Sequence, residues 1–251
     1  MRSLGLIGYP LEHSFSEHHF LEKFTNEGID DAIYQNYPLE SLDGLRDLIE
    51  REPDLVGLNV TIPYKTQVLP LLDAIDPIAE KIGAVNTINI IRDEDDPTDY
   101  TLTGFNTDVH GFRESLKPLL SDQHKEAIVL GTGGASLAVT HVLKELGIPF
   151  MQLSRDPKSE LEMSYDFMDK GMVEMSKLII NTTPVGMYPD VAEAPEIPYD
   201  GITAEHLVYD LIYNPEETQL LQRSLKKGAA TKNGQEMLEL QAEASWEIWN
   251  Q

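Results

Sequence analysis

The run Ala127-Ile128-Val129-Leu130-Gly131-Thr132-Gly133-Gly134-Ala135-Ser136 constrains this chain more than any other stretch. Four apolar residues enter a glycine-rich turn, and the apolar spacing from Ala135 to Leu146 predicts a helix closed by Gly147. A buried strand turning sharply into a helix is the context a dinucleotide fingerprint needs. Glycine permits positive φ and close approach of backbone to a ligand, while the helix N-terminus offers unpaired N–H groups to a pyrophosphate. Ser136 stands where the usual pattern has its third glycine, so this segment alone also fits a strand–turn–helix of packing origin. The next predicted strand, Phe150 to Leu153, runs into Ser154-Arg155-Asp156-Pro157-Lys158. An acidic residue there would bond the ribose 2′-OH of NAD, and a basic one would accommodate the 2′-phosphate of NADP. Arg155 and Lys158 point to NADP and Asp156 to NAD, so NADP is the expected cofactor, with NAD tolerated.

Composition narrows the partners. The 251 residues include 43 acidic and 19 basic ones, a net charge of −24, and no Cys. Disulfide frameworks and thiolate metal sites are therefore excluded. An anionic chain without a Lys/Arg run repels a phosphate backbone and an anionic membrane surface, so nucleic acid is not an expected partner. No stretch approaches the roughly 18–20 apolar residues of a membrane span. The apolar run in Met1 to Pro10 is too short for a secretory signal, which makes the cytoplasm the expected compartment. No metal is implied: His13, His18 and His19 lack an acidic partner pattern and read as capping or surface residues. Monomer and homodimer both stay open.

Strand and helix signals alternate along residues 1–104. Leu4 to Gly8, Ala32 to Tyr37, Leu55 to Val60 and Ala84 to Ile91 read as strands. Ser16 to Asn26, Ser41 to Arg51 (with Ser41 as N-cap) and Lys65 to Leu72 read as helices. This alternation predicts an α/β fold with a mainly parallel sheet covered on both faces. A second α/β unit follows. It has helices at Asp108 to Leu120 and Glu216 to Lys227, and further strands at Leu178 to Asn181 and Leu207 to Leu211. Tyr188 to Asp200, rich in Pro and acids, is an excursion loop, and Glu236 to Trp249 is a last amphipathic helix.

The N-terminal part holds a second constellation. Gly8-Tyr9-Pro10-Leu11-Glu12-His13-Ser14-Phe15-Ser16 sets two hydroxyls just ahead of a helix. Asn59-Val60-Thr61-Ile62-Pro63-Tyr64-Lys65 ends a strand, and Gly83-Ala84-Val85-Asn86-Thr87 and Gly104-Phe105-Asn106-Thr107-Asp108 repeat an Asn-Thr pair. In open α/β sheets the ligand crevice lies beyond the carboxyl ends of the strands, where Lys65, Asn86 and Asp108 are expected to fall. Singly, Ser16 reads as a helix cap, Asn86 as a turn residue and Lys65 as a solvated side chain. Together they point to a polar site.

The sequence resembles the shikimate dehydrogenase family nearly end to end. The carrying segments are Gly8 to Ser16, Asn59 to Lys65, Gly83 to Thr87, Asn106-Thr107-Asp108 and Gly131 to Ser136, followed by Asn181-Thr182-Thr183-Pro184-Val185-Gly186-Met187, Asp210-Leu211-Ile212-Tyr213-Asn214-Pro215, and Asn233-Gly234 through Met237-Leu238 to Gln241. The resemblance implies NADP-dependent interconversion of 3-dehydroshikimate and shikimate, on the route to chorismate and the aromatic amino acids. It implies a two-domain α/β architecture. A substrate-binding domain of residues 1–104, completed by the C-terminal helix at 235–251, would flank a Rossmann-type NADP-binding domain at 105–234. Substrate ligands carried over are Ser14, Ser16, Thr61, Lys65, Asn86, Asp108, Tyr213 and Gln241, with Lys65 and Asp108 as the catalytic pair. Gly131, Thr132, Gly133, Gly134 and Ala135 would hold the pyrophosphate. Ser154, Arg155 and Lys158 would face the adenosine phosphate, and Leu211 and Gly234 would line the nicotinamide.

Several positions depart from the family pattern: Glu17 replaces the usual Pro, Phe20 an Asn, Thr132 a small Ala, and Ser154-Arg155-Asp156 the usual Asn-Arg-Thr. A free lysine titrates at about 10.4, and a neighbouring carboxylate favours its charged form. Lys65 is thus expected to give a proton to the ketone oxygen as hydride arrives, with Asp108 orienting it. The alternative within the class is a quinate/shikimate dehydrogenase that also uses NAD. A non-catalytic nucleotide-binding protein would need no Lys65–Asp108 pair, and a folate or amino-acid dehydrogenase finds no support in the paired serines.

Overall fold

The computed structural model of the protein describes residues 1–11, 15–93 and 95–251. The chain divides into two compact units, Met1–Thr107 with Gln241–Gln251, and Asp108–Leu240.

The first unit is built from β1 (Arg2–Gly8), α1 (Phe15–Glu27), β2 (Ala32–Pro38), α2 (Leu45–Arg51), β3 (Leu55–Val60), β4 (Ala74–Ile75), α3 (Pro77–Ile82), β5 (Thr87–Arg92) and β6 (Tyr100–Phe105). Its sheet runs in the order β2-β1-β3-β5-β6-β4. β1 is parallel to β2 and β3, and β4 to β6, while β5 is antiparallel to both neighbours. That single reversal brings the start of β5 to the edge where β1, β3 and β6 end: Thr87 lies opposite both Asn59 and Phe105, and Ile7 opposite Val60. Alternation along β1 sends Leu4 and Leu6 to one face, against Phe20 and Phe24 of α1, and Ile7 to the other, against Leu45, Leu48 and Ile49 of α2.

Three local expectations fail in this unit. Lys65 to Leu72 is not a helix. Its backbone makes separate turns, Tyr64 N to Thr61 O at 2.9 Å and Val68 N to Tyr64 O at 3.0 Å, then one 3-10 turn at Leu69–Leu71. Pro70, inside that span, supplies no N–H, and its ring crowds the carbonyl four residues back, which breaks a continuous helix. The strand expected from Ala84 begins only at Thr87, because α3 ends at Gly83 and residues 84–86 cross to the next strand. Ser41 caps a 3-10 turn, accepting from Asp43 N, and the helix proper starts at Leu45. β6 was not anticipated, although buried Leu102 and Gly104 alternate with more exposed Thr101 and Thr103.

The second unit contains α4 (Asp108–Leu116), β7 (Ala127–Leu130), α5 (Gly134–Glu145), β8 (Phe150–Ser154), β9 (Glu162–Ser164), α6 (Lys170–Met175), β10 (Leu178–Asn181), β11 (Leu207–Asp210), α7 (Gln219–Leu225) and β12 (Ala230–Lys232). All its pairings are parallel, in the order β12-β11-β10-β7-β8-β9. Counted from β7 this is the Rossmann order, which reverses between β7 and β10. Every residue of β7, β10 and β11 is buried, as a sheet covered on both faces requires. The loop over Tyr188 to Asp200 is tied down by Ile197 in the core and by Arg223 over the Tyr199 ring.

The last helix, α8 (Gln235–Trp249), carries the chain back, since its residues from Gln241 onward belong to the first unit. Ala242 and Trp249 pack with Leu4, Leu6, Phe20 and Tyr34, and Trp249 Nε1 donates to Ile88 O at 3.0 Å. Trp249→Ala is expected to lower stability by about 3–5 kcal/mol, as for other buried aromatic deletions, read as a reduced urea midpoint. A loss below about 1 kcal/mol would mean that the helix end anchors nothing.

Candidate active site

In the first unit, the edge where β3 and β6 end and β5 begins is lined by polar side chains. Thr61 follows β3, half-buried, with its N–H on Ile7 O at 2.9 Å. Lys65 sits four residues on, half-buried, and its carbonyl accepts from Val85 N at 2.7 Å. Asn86, buried, bridges two strands through its backbone, accepting from Val60 N at 2.8 Å and donating to Phe105 O at 3.0 Å. Asn106 Nδ2 holds Ala84 O at 2.9 Å, which pins the preceding turn.

A connected hydrogen-bond network links these positions. Ser16, in the first turn of α1, bonds the Tyr34 hydroxyl, and Tyr34 donates to Asn59 Oδ1 at 2.8 Å. Burial raises the Tyr34 phenol far above its usual range, so the hydroxyl stays a donor. Asn59 Nδ2 donates to Ser245 Oγ of α8 at 3.0 Å. Thr107 N donates to Asn86 Oδ1 at 2.7 Å, and Asn86 Nδ2 donates to Thr107 Oγ1 at 2.9 Å and Gln241 Oε1 at 3.3 Å. Ser16, Asn86 and Gln241 thus belong to one system. Ser14 and His13 lie outside the described residues. His18 pairs with Glu22 and His19 with Glu243. Among the described residues no group of three His, Cys, Asp or Glu could hold a metal ion, and no helix is long and apolar enough to cross a membrane.

In the second unit the glycine-rich turn joins β7 to α5 beside the strand-order reversal. Gly131 holds φ +101°, and a Cβ there would lie 2.8 Å from Thr183 Cγ2 and 2.9 Å from Thr182 Oγ1. Thr132 and Gly133 are exposed, and no side chain caps the first turn of α5. Uncapped N–H groups behind an exposed turn suit a pyrophosphate. Ser136, in place of the third glycine, is wholly buried: its Oγ donates to Gly133 O at 2.7 Å and accepts from Gln152 Nε2 at 3.1 Å, while Gln152 also reaches Gly131 O at 2.8 Å. At the end of β8, Ser154 turns inward and its Oγ accepts from Asp156 N at 3.2 Å. Arg155 and Lys158 are exposed, with Lys158 Nζ 4.0 Å from Asp156 Oδ2. Gly234 presses on Leu211, where a Cβ would come within 2.0 Å of the Leu211 carbonyl oxygen. Tyr213 is half-buried, and burial raises its phenol. Asp108, the buried first residue of α4, belongs to this unit, and Lys65 to the other.

Residues 6–88 match the family model of the shikimate dehydrogenase substrate binding domain. A shikimate dehydrogenase (NADP(+)) of Methanosphaera stadtmanae is 38% identical, over 98% of this chain and 90% of the relative. The chain belongs to the shikimate dehydrogenase family. Among solved structures, the shikimate 5-dehydrogenase of Thermus thermophilus in complex with NADP(H) and shikimate is 28% identical, with a TM-score of 0.84 over 99% of this chain and 93% of that one. The quinate dehydrogenase of Corynebacterium glutamicum in complex with NAD is 26% identical, with a TM-score of 0.85 over the same shares.

Sequence reasoning gave no role to Asn59, Ser245, Gln152 or Asp210. The signal for Asp210 was a charge closing an otherwise apolar strand, Leu207-Val208-Tyr209-Asp210. Its wholly buried carboxylate accepts from Thr218 Oγ1 at 2.6 Å, Asn181 Nδ2 at 2.9 Å and Ile212 N at 3.1 Å. It therefore clamps the loops after β10 and β11. Burial pushes it up to about 6, against these hydrogen bonds. A folded-state pKa above the unfolded value contributes stability that is full below about pH 4 and is lost as pH rises through the folded value. Asp210→Asn cannot titrate, so its stability relative to the parent should climb by about 2–3 kcal/mol between about pH 4 and pH 7, compared by urea denaturation. A pH-independent difference would show that this carboxyl ionises alike in both states.

Proposed function

We propose that this chain is an NADP-dependent shikimate dehydrogenase, reducing 3-dehydroshikimate reversibly to shikimate in chorismate and aromatic amino acid biosynthesis. The reading is carried by the amide pair Asn86–Gln241, fixed in orientation on the sheet edge that also bears Thr61 and Lys65. The near-full-length similarity to NADP-dependent shikimate dehydrogenases supports it.

When bound, NADPH supplies the hydride to the ketone carbon. Lys65, as an ammonium, gives its proton to the ketone oxygen, and the pair of transfers yields the alcohol. Asp108 accepts from a ring hydroxyl of the substrate. Ser14, Ser16, Thr61, Asn86, Tyr213 and Gln241 bind the remaining hydroxyls and the ring carboxylate with neutral donors and acceptors. Such a site rejects analogues that lack those hydroxyls, because its own polar groups would then stay unpaired. The backbone from Gly131 to Ala135 takes the pyrophosphate. Arg155 and Lys158 take the 2′-phosphate, Ser154 shapes the turn that presents them, and Leu211 and Gly234 line the nicotinamide.

A second reading, a quinate/shikimate dehydrogenase with NAD as well, is favoured by Asp156 beside Lys158 and by the likeness to an NAD-bound quinate dehydrogenase. Steady-state rates with each cofactor and each acid separate the two. Shikimate-dependent reduction of NADP, followed by absorbance, is the expected outcome, and its absence with both cofactors would overturn the assignment.

Lys65→Ala should lower kcat about 10²–10⁴-fold, the usual size of a lost proton donor, with the KM for NADP unchanged. Near-parental turnover would remove Lys65 from the chemistry. Arg155→Ala should raise the KM for NADP about 10–100-fold by losing a charge-assisted phosphate contact, and leave that for NAD nearly unchanged. Equal effects on both cofactors would show that Arg155 does not read the phosphate.

A further inference from the structure

Ser245 is wholly buried on α8, one turn after Gln241, and three hydroxyls meet there. Its Oγ lies 2.8 Å from Thr87 Oγ1 and 3.1 Å from Thr107 Oγ1, and the two threonine oxygens are 3.3 Å apart. Ser245 Oγ has one proton to give, to Gln241 O at 3.0 Å or to Thr87 Oγ1, and two lone pairs, which take Asn59 Nδ2 at 3.0 Å and the Thr107 hydroxyl.

The proton order of this cluster sets which atoms the site presents. A backbone N–H cannot be reversed, so Thr107 N fixes Asn86 Oδ1 toward itself. Asn86 Nδ2 must then face Thr107 Oγ1 and Gln241 Oε1. To accept from Asn86, Thr107 Oγ1 has to point its own proton elsewhere, and Ser245 Oγ at 3.1 Å is a nearer acceptor than Asn86 Oδ1 at 3.2 Å or Gln241 Oε1 at 3.4 Å. With that proton drawn away, Gln241 Oε1 is held on Asn86, and the Nε2 donors of Gln241 form the branch turned away from Asn86. Without the serine oxygen, the Thr107 proton turns back toward Asn86 or Gln241, and Asn59 Nδ2 and Thr87 each lose a partner in a site closed to water.

We infer that Ser245 is a positioning residue for substrate binding, drawing the Thr107 proton away so that the Asn86 amide, oriented by Thr107 N, keeps Gln241 Oε1 as its partner. The inference rests on the reading that Asn86 and Gln241 bind shikimate.

Ser245→Ala should raise the KM for shikimate about tenfold, the worth of one well-placed hydrogen bond, with the KM for NADP unchanged and kcat within about twofold. Ser245→Cys, near-isosteric and a weak donor and acceptor, should fall between the parent and Ser245→Ala, and it carries the same comparison if the alanine variant does not fold. In a Gln241→Ala background, Ser245→Ala should add less than about twofold, because the group it positions is gone. Asn86→Ala and Gln241→Ala are measured alongside. If they raise the KM for shikimate and Ser245→Ala leaves it unmoved, the positioning role is overturned and the site reading stands. A Ser245→Ala effect that persists undiminished in the Gln241→Ala background also overturns it, leaving a general structural role. If Asn86→Ala and Gln241→Ala leave the KM unmoved, the site reading falls and the inference with it.

Discussion

The hydrogen bond from Thr107 N to Asn86 Oδ1, 2.7 Å long, is the constraint on which the first unit's polar edge depends. Around it Asn59, Asn86, Thr87, Thr107 and Ser245 are all nearly or fully buried. A buried polar group left without a partner costs about 1–3 kcal/mol, so a cluster of this kind is stable only when every member is served. Strand pairing alone cannot serve it, because a ladder uses backbone groups and leaves the side chains to find their own partners. Helix α8 supplies what the sheet lacks, through Ser245 Oγ and Gln241 Oε1. The same helix packs Ala242 and Trp249 against Leu4, Leu6, Phe20 and Tyr34. The return of the chain after residue 240 is therefore a requirement of hydrogen-bond satisfaction as much as of apolar packing.

The second unit solves a related problem at its glycine-rich turn. Close helix–strand packing is the usual office of a third glycine, and Ser136 gives that up. In exchange it bonds Gly133 O and takes a bond from Gln152, whose other proton holds Gly131 O. The turn is thus braced from behind by side chains while its outward N–H groups stay uncapped. Asp210 does the equivalent for the neighbouring loops, gathering donors from β10, from the turn after β11 and from the N-cap of α7. Both devices place rigid backbone at the carboxyl ends of the strands, beside the point where strand order reverses.

Much of this was legible in the sequence where one period dominated. The strand at Ala127 to Leu130, the glycine stop at Gly147 and the last helix are local signals, and each element stands where its pattern puts it. Lys65 to Leu72 failed because the proline within it outweighs apolar spacing, and β6 was lost because Thr101 and Thr103 make a weak outer face. The bonded partners were illegible for a different reason. Asn59 and Ser245 stand 186 positions apart, and no window of sequence shows that they share a proton. Asn86 was legible as a site residue, yet its orientation follows from a backbone donor 21 positions away. The resemblance to the family could name positions, whereas it could not say what holds them.

Charge sharpens what kind of site this is. Residues 1–104 and 231–251 carry 8 basic and 24 acidic side chains, net −16, against net −8 for the remainder. Within the first unit the cations largely tie elements together: Arg2 joins Asp31 and Asn250, Lys23 joins Glu27 and Glu243, and Arg92 donates to the carbonyls of Ile49, Glu52 and Pro97. Attraction of an anionic ring acid by bulk field is therefore unavailable, since the long-range field has the wrong sign. Affinity has to come from short-range, oriented neutral donors, whose strength depends on geometry and hardly at all on net charge. That makes orientation the limiting quantity, and explains why side chains that never need to touch a ligand are buried and bonded as carefully as those proposed to bind it.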